Sequence, residues 1–281
     1  MPDVLILTNQ SKDLEFLPQL ATAEGFRNKI TTEISAAQKW TSALKFDLLV
    51  IHEEFGDKAI EQLSNALWST NSGAQVSVYT SSEIDQIEAS KKRWSMGVLG
   101  AEYFCGKDVF RSLALTLRKI SQRSQRSGAK FKVMVVEDLE AARDIICSFV
   151  EHLEYSLVKG FASGQEAFDA LLADPSEYSC VITDVNMPGM TGWELTERIR
   201  SNAKLKHLPV IALTAYGSPD VLLKCFKAGA SGFLVKPPSK LNLSRELSRA
   251  KRIILNAEDP RLVQPQDVEL MRSVLEDKGY I

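Results

Sequence analysis

Short apolar runs, each followed by a helical pattern, recur along this chain and leave it few folds to choose from. In the second half Val133–Val136 is continuous and apolar, as a parallel strand covered on both faces requires. Leu139–Leu153 follows as an amphipathic helix, then a short strand near Ser156–Lys159. Ser163 with Glu166, and later Thr191 with Glu194, have the spacing of capping boxes and open the next two helices. Cys180–Thr183, Val210–Leu213 and Phe233–Val235 complete five strands, and a last helix runs from Pro238 to about Leu255. Five β-α units in succession predict an open parallel sheet with helices on both faces.

The first half repeats the plan. Val4–Leu7, Leu48–Ile51, Val76–Tyr79 and Tyr103–Cys105 read as strands with helical patterns between them. Gly100–Lys107 aligns with Gly229–Lys236 without a gap, and Phe46–His52 with Tyr178–Asp184. This is one domain twice, since a solenoid has much shorter repeats. We therefore expect a domain over residues 1–120, a polar segment over 121–130 that serves as a linker and could extend the helical pattern of Val109–Ile120, a second domain over 131–257, and a tail over 258–281. In the tail, Gln266–Lys278 offers one short helix with Val268, Met271 and Leu275 on a stripe and Gly279 as its stop. No helix-turn-helix fits there.

Bulk properties narrow the setting. A formal net charge of -2 offers no basic patch, so no nucleic-acid partner is expected. No run approaches the ~20 apolar residues of a membrane span, and Val4–Leu7 is too short for a signal peptide. The four cysteines include no C-x-x-C pair, and three are expected to be buried as small hydrophobes, which fits a reduced cytoplasm. The three histidines lack metal-ligand spacing, which argues against zinc.

The chemistry converges on one edge of the second sheet. Ligands of open parallel sheets bind beyond the carboxyl ends of strands where strand order reverses. Glu137 and Asp138 end the first strand there and Asp184 ends the third. Three carboxylates this close repel unless a cation sits among them, and magnesium, which takes oxygen ligands, is the natural occupant. An ionised aspartate is a competent nucleophile for phosphorus. Thr214 can donate a hydrogen bond to a phosphoryl oxygen, and Lys236 can pair with another. Taken singly, Glu137-Asp138 is an ordinary strand-end pair, Lys236 a solvated lysine and Phe233 a core aromatic. Their order and spacing around Asp184 favour the phosphoryl reading. Gly229-Ala-Ser-Gly232 is turn punctuation, since a dinucleotide fingerprint would follow the first strand.

These residues resemble the receiver domain of two-component response regulators over about Lys130–Ala257. The likeness rests on Glu137-Asp138, Asp184-Val-Asn186-Met-Pro188-Gly-Met-Thr-Gly192, Thr214-Ala215 and Lys236-Pro237. It implies an α/β fold: two flavodoxin-like, doubly wound (βα)5 domains, each with a five-stranded parallel sheet in the order 2-1-3-4-5. It also implies Asp184 as phosphoacceptor and Mg²⁺ held by Asp138, Asp184 and the Asn186 carbonyl, with Glu137 contributing through water. In the implied switch Thr214 would turn toward the phosphoryl group and Phe233 would rotate inward behind it, and Pro237 would follow a cis peptide bond. The phosphoryl donor would be a histidine kinase or histidine phosphotransfer protein. Output would pass by protein–protein contact to an unknown target, with a phosphorylation-dependent homodimer among the expected assemblies.

The first half resembles a receiver that has lost this chemistry. Thr8 and Asn9 stand for the acidic pair and His52 for the phosphoacceptor; Thr80 and Lys107 remain, and Asp108 replaces the proline. Imidazole cannot form an acyl phosphate, so the domain reads as a pseudo-receiver used for interaction. Two other classes compete for the whole chain. An aspartyl-phosphate phosphohydrolase commonly carries its nucleophile on the first strand as Asp-x-Asp, whereas here the lone aspartate is on the third. A scaffold that is never phosphorylated would bind no Mg²⁺.

Overall fold

The structure, a computed structural model, describes residues 1–71, 73–124, 131–153, 156–215, 219–277 and 279. The chain forms two compact units, Met1–Ala129 and Lys130–Ile281. In the first, β1 (Asp3–Leu7), α1 (Ser11–Ala23), β2 (Arg27–Thr31), α2 (Ile34–Ala43) and β3 (Leu48–His52) precede α3 (Gly56–Thr70). β4 (Gln75–Thr80), α4 (Gln86–Val98), β5 (Glu102–Cys105) and α5 (Val109–Ser124) complete it. The second unit runs β6 (Phe131–Val136), α6 (Glu140–Glu151), β7 (Ser156–Phe161), α7 (Gly164–Ala173) and β8 (Cys180–Asp184). It continues through α8 (Gly192–Ser201), β9 (Val210–Ala215), α9 (Pro219–Ala228), β10 (Gly232–Lys236), α10 (Lys240–Asn256) and α11 (Val268–Asp277). Each sheet is five-stranded and parallel, ordered β2-β1-β3-β4-β5 and β7-β6-β8-β9-β10. Both are doubly wound in the order 2-1-3-4-5, as the resemblance implied.

Why the apolar runs become strands is visible in β6. Alternate residues leave a strand on opposite faces. Val133 and Val135 enter a core with Ile146, Val150, Leu243 and Leu247, while Met134 and Val136 enter another with Leu171, Leu195 and Ile199. A strand that feeds two cores has no polar face, hence the continuous run.

Some expectations need correction. β2 carries a single large apolar residue, Ile30, and none of its residues is fully buried, so this edge strand left no apolar run to read. Helix α5 continues to Ser124, the helical extension that the sequence left open at the start of 121–130; residues 125–130 lie outside the described residues. At Ser163 only half of the capping box forms: the hydroxyl accepts the Glu166 N–H, but the Glu166 carboxylate accepts from Ala162 N–H. Thr191 and Glu194 make the full box. All four cysteines are free, but two rather than three are fully buried, Cys180 and Cys225. Burial pushes the Cys225 thiol up to about 12.

The C-terminal stripe is used as its spacing predicts. Val268, Met271, Val274 and Leu275 of α11 are buried and the helix packs on α9; Lys278, the expected last residue, lies outside the described residues. The exposed pairs Lys227–Glu269 (3.1 Å) and Arg272–Asp220 (3.3 Å) flank the contact. Such pairs contribute ~0–1 kcal/mol each, whereas burying each large apolar side chain contributes ~1.5–3 kcal/mol. The apolar stripe therefore holds α11 in place.

Candidate phosphoryl-transfer site

β6 lies between β7 and β8, so chain connections leave it in opposite directions and open a crevice at its carboxyl end. Val136 pairs with Thr183, which sets Glu137, the next residue, beside Asp184. One carboxylate oxygen from each of Glu137, Asp138 and Asp184 lies within 4.8 Å of the others. Glu137 is fully buried and Asp184 is 5% exposed. The Lys236 ammonium bridges them, 2.8 Å from Glu137 Oε2 and 2.8 Å from Asp184 Oδ2. Burial alone would lower the Lys236 pKa, but hydrogen bonds and charge from Asp184 and then Glu137 outweigh it, and the net shift is upward. The ammonium therefore stays charged through neutral pH.

The remaining expected residues surround this group. Thr214 is buried on β9, in register with Val235, one residue before Lys236. The Asn186 N–H donates to Asp184 Oδ1 at 3.3 Å from the exposed loop after β8. Phe233 is already inward in this structure, 2% exposed and edge-on to Phe226 with ring centroids 5.9 Å apart. The Lys236-Pro237 bond is cis.

Three supporting residues escaped the sequence reading or entered it only as part of a motif. Arg143 Nη1 donates to the Glu137 carbonyl at 2.8 Å, pinning the backbone of the acidic pair. Gly160 on β7 makes room for it, because a Cβ there would lie 2.9 Å from Arg143 Cδ. A lone glycine inside a strand is a signal of such close approach. At Gly192 a Cβ would come within 2.2 Å of the Asp184 carbonyl oxygen, so the helix after the β8 loop can pass this close only as glycine.

A divalent cation fits the donor set. Three carboxylates face one ammonium, all donors are hard oxygens, and buried Glu137 Oε1 has no hydrogen-bond partner among the described residues.

The first unit's cleft is built differently. His52 is 7% exposed and its Nδ1 accepts the Glu54 N–H at 3.3 Å, with the ring edge-on to Tyr79 at 5.0 Å. The Tyr79 hydroxyl donates to buried Asp13 at 2.7 Å, and burial, with Asp13 adding to it, holds that phenol far above its ordinary pKa. Glu53 receives Lys92 at 2.6 Å and the Tyr103 hydroxyl at 2.7 Å. Internal bonds thus engage His52 Nδ1, Tyr79, Asp13 and Glu53.

Lys107 requires a correction. His52 pairs with Tyr79 as Asp184 pairs with Leu213, so Thr80 corresponds to Thr214. Thr80 then pairs with Cys105 as Thr214 pairs with Val235. Gly106, not Lys107, therefore takes the place of Lys236, and Tyr103 that of Phe233. The ungapped alignment holds at the helix ends, where Gly100 and Gly229 both have positive φ, but the first unit has one residue fewer before its last strand. Lys107 instead pairs in solvent with Glu83 at 2.9 Å, 85% exposed.

With the geometry in place, comparison with known proteins is direct. The response regulator receiver domain profile matches residues 133–248. Chemotaxis protein CheY-3 of Vibrio cholerae is 35% identical over 122 residues, covering 42% of this chain and 89% of the relative. Chemotaxis protein CheY of Pseudomonas aeruginosa is 36% identical over 110 residues, covering 38% of this chain and 84% of the relative. Two-component response regulator ORR11 of Oryza sativa is 34% identical over 122 residues, covering 43% and 82%. The chain belongs to the response regulator receiver family of two-component signal transduction. Among the described residues no helix is long and apolar enough to cross a membrane.

Proposed function

We propose that residues 131–257 form a phosphoacceptor receiver that takes a phosphoryl group on Asp184 from a histidine kinase or histidine phosphotransfer protein. The observation that carries this is the Lys236 ammonium shared between Asp184 and buried Glu137, beside Asp138. A carboxylate oxygen of Asp184 attacks phosphorus of a phosphohistidine. The P–N bond breaks, its electron pair stays on the imidazole, and that ring takes up a proton. Lys236, already at Asp184, pairs with the incoming phosphoryl oxygens, and Thr214 donates its hydroxyl to one of them. Glu137, Asp138, Asp184 and the Asn186 carbonyl would hold Mg²⁺, which supplies positive charge against the phosphoryl oxygens. Thr214 and Phe233 transmit the change by protein contact to a downstream partner or a second copy of the chain, so the domain signals and does not turn over a substrate. The first unit, residues 1–120, contributes as an interaction domain.

The test is uptake from acetyl phosphate. Mg²⁺ should permit one phosphoryl group per chain, and chelation should abolish uptake. Asp138→Ala should remove Mg²⁺ binding, whereas Thr8→Ala or Asn9→Ala should leave it unchanged. A titration showing two equivalent metal sites would contradict this division between the units.

A further inference from the structure

Tyr103 takes the place in the first unit that Phe233 holds in the second, and its hydroxyl gives it an anchor that a phenylalanine cannot use. The anchor is Glu53, the residue after His52; the residue after Asp184 is the buried, apolar Val185. Glu53 opens the 3₁₀ turn Glu53–Phe55, and its carboxylate reaches α4 and β5. One oxygen, Oε2, receives both the Lys92 ammonium at 2.6 Å and the Tyr103 hydroxyl at 2.7 Å. Lys92 also stands over the Tyr103 ring, 5.8 Å from its centroid.

The charges in this group are fixed at neutral pH. Burial would raise the Glu53 pKa, but hydrogen bonds from Lys92, Tyr103 and Thr80, with the Lys92 charge, outweigh it, and the net shift is downward. Burial, with Glu53 adding to it, holds the Tyr103 phenol far above its ordinary range, so its hydroxyl keeps the proton it donates. A hydrogen bond to an ionised acceptor is roughly twice as strong as a neutral one. Tyr103 is accordingly held inside, 6% exposed, and Thr80, the counterpart of Thr214, is buried as well. All these bonds are made within the first unit.

We propose that Glu53 is a built-in anchor that holds Tyr103 inward and fixes β5 of the first unit in one arrangement without a metal or a phosphoryl group. The unit is then a module of constant state, not a second switch. The test uses the full chain labelled with 3-fluorotyrosine in metal-free buffer, the Tyr103 resonance being the one lost in Tyr103→Phe. Broadening by a soluble gadolinium chelate reads how far the ring is open to solvent. The parent ring should be shielded. Glu53→Val, which installs the side chain the second unit carries at this position, should raise the broadening at least several-fold. Glu53→Gln, which keeps an oxygen acceptor but loses the charge, should fall between the two. Amide exchange across 102–105 separates an anchor from general packing: Glu53→Val should speed it several-fold in the parent but little in Tyr103→Phe. A parent ring already open to the chelate would overturn the proposal, as would parental shielding in both Glu53 variants. Equal acceleration of exchange with and without the Tyr103 hydroxyl would overturn it too.

Discussion

Gly192→Ala is expected to lower the stability of the second unit by about 2–3 kcal/mol and to impair phosphoryl uptake with it. Intrinsic helix propensity argues the other way, since alanine gains ~1 kcal/mol over glycine within a helix. The contact decides the sign. The new methyl would sit 2.2 Å from the Asp184 carbonyl oxygen and 3.0 Å from the Val185 Cα, both backbone atoms where β8 runs into its loop. Neither is the far end of a flexible side chain, so the loop itself must shift. The Gly192 N–H, which donates to the Val185 carbonyl at 3.0 Å, would shift with it. Urea unfolding of the second unit reads the stability change. A variant as stable as the parent, with undiminished uptake, would show that the helix does not approach the loop as described.

Lys236→Met should cost about 3 kcal/mol in metal-free buffer, because it leaves a buried carboxylate without its counter-charge. Glu137 is fully buried, and the ammonium is the cation that reaches it. Adding Glu137→Gln to the variant should recover much of the loss, and that non-additivity separates a lost ion pair from lost packing. Mg²⁺ should likewise restore part of the stability by supplying the missing charge. The pH dependence follows from the raised Lys236 pKa. A cation whose pKa is higher folded than unfolded contributes its full stabilisation below the ordinary lysine range. That contribution disappears as pH climbs through the folded value. Wild type should therefore lose stability at strongly alkaline pH in a way the variant does not. An unchanged urea midpoint for Lys236→Met in metal-free buffer would contradict the ion-pair account.

Much of the fold was legible because buried parallel strands have no polar face: β6, β8 and β9 announce themselves as apolar runs, and the site residues follow directly at their ends. β2 was not, because an edge strand written Arg-Asn-Lys-Ile-Thr buries too little to leave a pattern. The end of α5 stayed open between helix and linker for a related reason, since Ser121–Ser124 extend the helix past its apolar stripe. Lys107 misled because one missing residue before β5 shifts the register by one position, and sequence identity at Gly100 and Gly229 conceals it. Arg143 gave no local sign at all, since its role is to hold two backbone carbonyls that only the folded loop presents.

The central claim is that one carboxylate in this chain, Asp184, takes up phosphoryl groups while the first unit takes none. Mass spectrometry of protein treated with acetyl phosphate and Mg²⁺ tests it directly. The account predicts one phosphoryl group per chain, located on Asp184, absent in Asp184→Asn and unaffected by His52→Ala. Comparable labelling of Asp184→Asn, or a phosphoryl group on His52, would contradict it.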